Sequence, residues 1–111
     1  MPRAARSEPK LRVTSQRLRV EPGETFEVTL DEPAATGHRW QLADPGEGIA
    51  LVDDRYQPPD RTLGLGAAGR RVVKLRAVGT GHHVLRFSLA RPWEARPSAE
   101  HRVEVDTVRP L

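Results

Sequence analysis

Apolar residues in this chain recur at every second position in short runs, and nearly every run is cut off by proline or glycine. Thr25 to Leu30 is the cleanest case: Phe26, Val28 and Leu30 fall on one side, Thr25, Glu27 and Thr29 on the other. That period of two is the mark of a half-buried strand. It returns in 70–78, with Val73, Leu75 and Ala77 on one face, and in 82–90, with Leu85, Phe87 and Leu89. Shorter versions occupy 38–43, with Trp40 and Leu42, and 100–108, with Val103 and Val105. Gly48 to Gln57 holds Ile49, Leu51 and Val52, a poorer strand that ends at Pro58-Pro59. Leu11-Arg12-Val13 and Leu18-Arg19-Val20 would make a first, split edge strand. No segment carries a helical stripe.

Between the runs lie turn formers: Glu21-Pro22-Gly23-Glu24, a 31–37 loop, Asp44-Pro45-Gly46, a Gly/Ala loop at 60–69 and Gly79-Thr80-Gly81. Seven or eight short strands with turn signals between them predict an all-β fold, an antiparallel β-sandwich. An immunoglobulin-like arrangement without its disulfide fits best. At 111 residues the chain can build one core and not two. The expected organisation is a basic arm over 1–10, a domain over 11–108 and a tail over 109–111. In this arrangement the 31–37 and 91–99 loops emerge together at one end, and the 60–69 loop must lie near them to share their surface.

Several function classes recede on composition. With no cysteine there is no disulfide, thiol nucleophile or thiolate metal site. No long apolar run exists to span a membrane. The net charge of +3 is uneven: residues 1–19 carry +5 and the remaining 92 residues −2. Basicity therefore belongs to the N-terminal arm, and no nucleic-acid partner is expected; binding through the arm would fall steeply with salt. His82 and His83 are adjacent, so on a strand they face opposite ways, and His38 and His101 stand at no ligand-type spacing to them. No metal and no cofactor is expected. The acid pairs Asp31-Glu32 and Asp53-Asp54 read as solvated, and no nucleophile motif surrounds any serine, so an enzyme is not expected. The basic N-terminus is followed by no apolar segment; the chain as written is expected in the cytoplasm, with export open if the start is truncated or misplaced.

One element is left over. After the 84–90 alternation comes Arg91-Pro92-Trp93-Glu94, where Pro92 cannot continue a ladder. Trp93, one of two tryptophans, is thereby displayed on a connection, where a large aromatic reads as a contact residue. Trp40 reads as core.

The succession of LDEPAATGHRW (30–40), GLGAAG (64–69) and ARPWE (90–94) resembles the chagasin family of cysteine-protease inhibitors. The likeness covers about residues 11–108. The family's first loop reads Asn-Pro-Thr-Thr-Gly-Tyr-x-Trp; here Thr36, Gly37 and Trp40 fit, and Pro33, Ala34, Ala35 and His38 depart. The second, Gly-x-Gly-Gly, is placed at Gly66-Ala67-Ala68-Gly69, with Ala68 where glycine is usual, preceded by Gly64 and Leu65. The third, Arg-Pro-Trp, is met in full by Arg91, Pro92 and Trp93, with the commonly following acid at Glu94.

What the resemblance implies is a reversible inhibitor that acts as a monomer and fills the cleft of a papain-like cysteine protease with three loops. Thr36 and Gly37 would lie nearest the catalytic Cys and His of the enzyme. The Gly66–Gly69 stretch would face the non-primed side, and Trp93 would stack on the primed side with Arg91 bracing its loop. The departures leave a second expectation open: an immunoglobulin-like protein-binding module that keeps the fold and has lost inhibition.

Overall fold

The computed structural model describes residues 11–60 and 67–111. The proposed arm at 1–10 and the loop residues Gly64, Leu65 and Gly66 lie outside the described residues. Among the described residues there are seven strands: β1 Arg12–Val20, β2 Thr25–Glu32, β3 Arg39–Leu42, β4 Ile49–Gln57, β5 Gly69–Ala77, β6 Gly81–Ala90 and β7 Ala99–Thr107. They form two sheets, one in the order β1-β7-β6-β3 and one in the order β2-β5-β4.

The core lies between the sheets and is supplied by the alternating positions. Val28, Val73, Leu75, Leu85, Phe87, Val103 and Val105 are all buried, as is Trp40. The richest contributors, β5, β6 and β7, are central strands with neighbours on both sides, which is why their apolar alternation is the least interrupted.

Edge strands read less clearly for the same physical reason. The two pieces expected at 11–13 and 18–20 are one continuous strand, β1. Its polar middle, Thr14 to Arg17, is tolerated because β1 is an edge, and Thr14 and Gln16 turn their polar atoms to His101 of β7. The sandwich is also not wholly antiparallel, because β1 runs parallel to β7 from Arg12↔Ala99 to Val20↔Thr107. The first and last strands thus close the sheet side by side.

On β4 a bulge between Leu51 and Asp53 shifts the register against β5. A bulge reverses which face the following residues point to. Val52 is left exposed, and Asp54 and Tyr56, rather than Asp53 and Arg55, come opposite Val73 and Arg71 on the inner side. This accounts for the adjacent Leu51-Val52 that spoils the alternation.

Three boundaries move from expectation. β2 extends through Glu32, so the first loop is shorter than 31–37 and ends in a 3-10 turn, Ala34–Thr36. Gly69 is not loop but the first residue of β5, paired with Glu32. Gly81 is not turn but the first residue of β6. The larger correction concerns Glu32, expected in solvent and in fact 2% exposed.

Candidate functional site

The first and third loops and the described feet of the second lie at one end of the sandwich. The first, residues 33–38, joins β2 to β3; the second, 58–68, joins β4 to β5; the third, 91–98, joins β6 to β7. The Glu32↔Gly69 pair sets the foot of the first loop beside the foot of the second. Pro33, Ala68, Trp40 and Leu89 line one open hollow between them.

In the first loop, a single turn of 3-10 helix is closed by Thr36 N–H donating to Pro33 O at 3.2 Å and Gly37 N–H to Ala34 O at 2.9 Å. The Thr36 hydroxyl donates to Pro33 O as well, at 2.8 Å. Its one proton being used there, the Thr36 oxygen accepts from His38 Nδ1, 2.6 Å away. Nε2 of the same ring then faces Glu94 Oε1 of the third loop at 3.8 Å. The turn ends at Gly37 with φ +84°, a left-handed conformation that costs other residues energy. A Cβ there would also stand 3.3 Å from Trp93 Cη2, tighter than ordinary contact. Two independent demands therefore fall on Gly37. Ala34 to Gly37 are all exposed.

The third loop opens with a four-residue turn, Arg91 to Glu94, tied within itself. Glu94 N–H donates to Arg91 O at 3.0 Å. In return Arg91 N–H donates to Glu94 Oε1 at 2.8 Å, and Arg91 Nη2 approaches Oε2 at 3.4 Å. The backbone bond from Arg91, with its guanidinium next, holds the Glu94 carboxyl below the usual carboxylate range. The guanidinium also lies 5.6 Å from the centre of the Trp93 ring, within cation–π range. Trp93 leans one edge on Gly37 and leaves 72% of its surface exposed. At the loop's base, Ser98 N–H returns to Leu89 O at 2.8 Å.

Of the second loop, Ala67 and Ala68 are described and lead into Gly69. Gly69 is buried, and a Cβ on it would strike the Tyr56 hydroxyl and come within 2.6 Å of Gln57 O. The glycine is there for close packing of the two feet of the loop.

Beneath the loops lies a group that the pattern of loop motifs does not announce. Glu32 and Arg71 are both buried and bonded side by side: Arg71 Nε to Glu32 Oε1 at 3.0 Å and Nη2 to Oε2 at 2.7 Å. Nη1 reaches Asp54 Oδ1 at 3.2 Å, and the guanidinium stands 5.7 Å from the centre of the Tyr56 ring. Glu32 Oε1 also accepts Trp40 N–H at 2.7 Å, while Trp40 Nε1 donates to Asp31 O at 2.7 Å. The hydrogen bond to Glu32 raises the Arg71 pKa further above its ordinary value. One signal was readable: Arg71 shares the parity of Val73, Leu75 and Ala77, and so had to point inward.

The described residues present exposed backbone, small side chains and one large aromatic. The Thr36 hydroxyl beside His38 gives its proton to Pro33 O, and among the described residues no group of three His, Cys, Asp or Glu could hold a metal. Nor is any helix among the described residues long and apolar enough to cross a membrane.

Comparison with known proteins agrees with this shape. The chain superposes on the cysteine protease inhibitor EhICP2 of Entamoeba histolytica with a TM-score of 0.73 at 18% identity, over 88% of this chain and 96% of that one. PbICP-C, solved in complex with falcipain-2, gives 0.68 at 15% identity, covering 91% and 93%. The Leishmania mexicana ICP gives 0.56 at 23% identity, covering 99% and 96%. At such identities the likeness establishes the fold. No curated protein matches by sequence. The family described as Chagasin family peptidase inhibitor I42 matches residues 19–107, and the chain belongs to that family of inhibitors.

Proposed function

We propose that this protein, acting as a monomer, reversibly inhibits papain-like cysteine proteases by seating the loop end of its sandwich in their active-site cleft. The surface comprises Ala34, Ala35, Thr36, Gly37 and His38 of the first loop, Gly64 to Gly69 around the second, and Arg91, Pro92, Trp93 and Glu94 of the third. The observation that carries the reading is Trp93: a tryptophan 72% exposed, yet fixed by the Arg91–Glu94 tie and by contact with Gly37. An aromatic already held in place loses little freedom on binding, which is how preorganised surfaces gain affinity. The likeness to EhICP2, a cysteine protease inhibitor, and to PbICP-C, solved in complex with falcipain-2, supports the same reading.

The mechanism is occlusion. Gly37 lets the backbone approach catalytic groups without a side-chain clash, and the Thr36 hydroxyl gives its proton to Pro33 O rather than to His38. Trp93 would stack against the primed side of the cleft. Titrating papain and a cathepsin-L-type protease with the purified protein and with Trp93→Ala tests this. Tight, reversible inhibition should weaken at least tenfold in the variant, about 1.4 kcal/mol. A folded wild type that fails to inhibit either enzyme at micromolar concentration would instead select the module that keeps the fold without inhibition.

A further inference from the structure

We infer that Glu32 and Arg71 are positioning residues for the inhibitory surface: a buried clamp that ties the feet of the first and second loops together and so sets how the loops stand relative to each other. This rests on the reading that the loop end of the sandwich is that surface.

The clamp's connections all run to loop feet. Glu32 is the last residue of β2 and Trp40 the second of β3, so the bond from Trp40 N–H to Glu32 Oε1 spans the neck of the first loop. The Trp40 indole, bonded to Asp31 O, closes that neck a second time. Arg71 stands two residues into β5, just after the second loop; Asp54 and Tyr56 lie on β4, just before it. By gripping Glu32 with two nitrogens and Asp54 with a third, Arg71 joins one foot of the first loop to both feet of the second. The β4 bulge is what brings Asp54 and Tyr56 to the guanidinium's side.

Net stability alone does not explain such a group. Desolvating two charges largely offsets their attraction, and apolar residues of similar size usually close a core as well or better. What an apolar plug lacks is direction. A guanidinium fork meeting a carboxylate fixes both distance and angle, and lysine, a point charge, cannot replace it. Both Glu32 oxygens are moreover engaged: Oε1 serves both Trp40 and Arg71, and Oε2 serves Arg71. A glutamine there offers one acceptor oxygen and a nitrogen that can only donate toward Nη2. Either the neck of the first loop or the link to β5 must then give way.

The test uses the full chain with Glu32→Gln and Arg71→Lys. Two quantities are read: inhibition of a papain-like protease, and amide hydrogen exchange at Trp40 compared with Leu85 and Val103 in the central strands. Both variants should inhibit at least tenfold more weakly. In both, Trp40 exchange should quicken at least tenfold more than exchange at Leu85 and Val103. Exchange that rises in parallel at all three amides would mean the pair supports only global stability, and would overturn the inference. Wild-type exchange and wild-type inhibition in either variant would overturn it too. The exchange readout needs no protease, so a wild type that does not inhibit would refute the functional reading and still leave the clamp to be judged. Conversely, loss of inhibition in Trp93→Ala with none in Glu32→Gln would keep the functional reading and refute the clamp. Should Glu32→Gln not fold, Arg71→Lys, which keeps the charge, carries the same comparison.

Discussion

The first and third loops sit against each other and are held by opposite means. The third is tied within four residues: Arg91 and Glu94 exchange backbone and side-chain bonds, and the Arg91 guanidinium lies over the ring it helps display. The first has one 3-10 turn and the Thr36 side-chain bonds of its own, and beyond these leans on what surrounds it, with Glu32 and Trp40 below and Trp93 at its tip. A loop whose restraints are local can be moved between chains as a short motif. A loop whose restraints come from other strands cannot. This matches what the residues show: Arg-Pro-Trp-Glu meets the family pattern in full, whereas Ala34, Ala35 and His38 depart from it.

The largest effect after loss of Trp93 itself is expected at the point where the two loops touch. Gly37→Ala would place a side chain in a left-handed conformation, costing roughly 1–2 kcal/mol. Its methyl group would also press on Trp93 Cη2 from 3.3 Å. Inhibition should weaken by more than tenfold, with a thermal midpoint lowered by roughly 4–10 °C. Inhibition unchanged within twofold would mean that the loops do not depend on each other at this contact.

A smaller effect is expected from Glu94→Gln. The amide oxygen can still accept Arg91 N–H, so the turn survives, while the charge facing Arg91 and His38 is lost. The expected outcome is a loss of inhibition smaller than that of Gly37→Ala, with unchanged folding by circular dichroism. If Glu94→Gln proved the more damaging of the two, the third loop would depend on charge and not on its backbone turn.

How far these features could be read in advance follows from where their restraints lie. The sandwich was legible because Phe26, Val28, Val73, Leu75, Leu85 and Phe87 obey a period of two on strands that pack face to face. The third loop was legible because Pro92 forces the strand to end and Trp93 follows at once. Glu32 was misread because acidity beside proline ordinarily means solvent. Its burial depends on Arg71, 39 residues away, and nothing local reveals that pairing. The continuity of β1 was hidden likewise: its polar middle is satisfied by His101, 85 residues on from Gln16. The bulge that aligns Asp54 with Arg71 shows in the sequence only as a broken alternation.

The mildest expected effect separates the loop end from the β1 seam by pH. His101 on β7 donates from Nε2 to Gln16 Oε1 at 2.9 Å, so its Nδ1 accepts from the Thr14 hydroxyl at 2.7 Å. Burial pushes this imidazole below its ordinary value of 6.5. The unfolded chain therefore takes up the proton first. The stabilisation is complete above about pH 6.5, the unfolded value, and is lost as pH falls from there through the folded value. Glu94, also lowered, follows the same sign in a different window, since its contribution is complete above the ordinary carboxylate value and lost only below it. Between pH 7.5 and 5 the thermal midpoint should thus fall slightly while the third loop keeps its tie. The emission of Trp93, read in a Trp40→Phe background, should stay constant over that range and change only in stronger acid. His101→Gln should flatten the decline between pH 7.5 and 5 without altering inhibition at neutral pH. A Trp93 signal that moved together with the thermal midpoint across pH 6 would show that the third loop is not self-supporting, and that the β1 seam and the loop end respond as one unit.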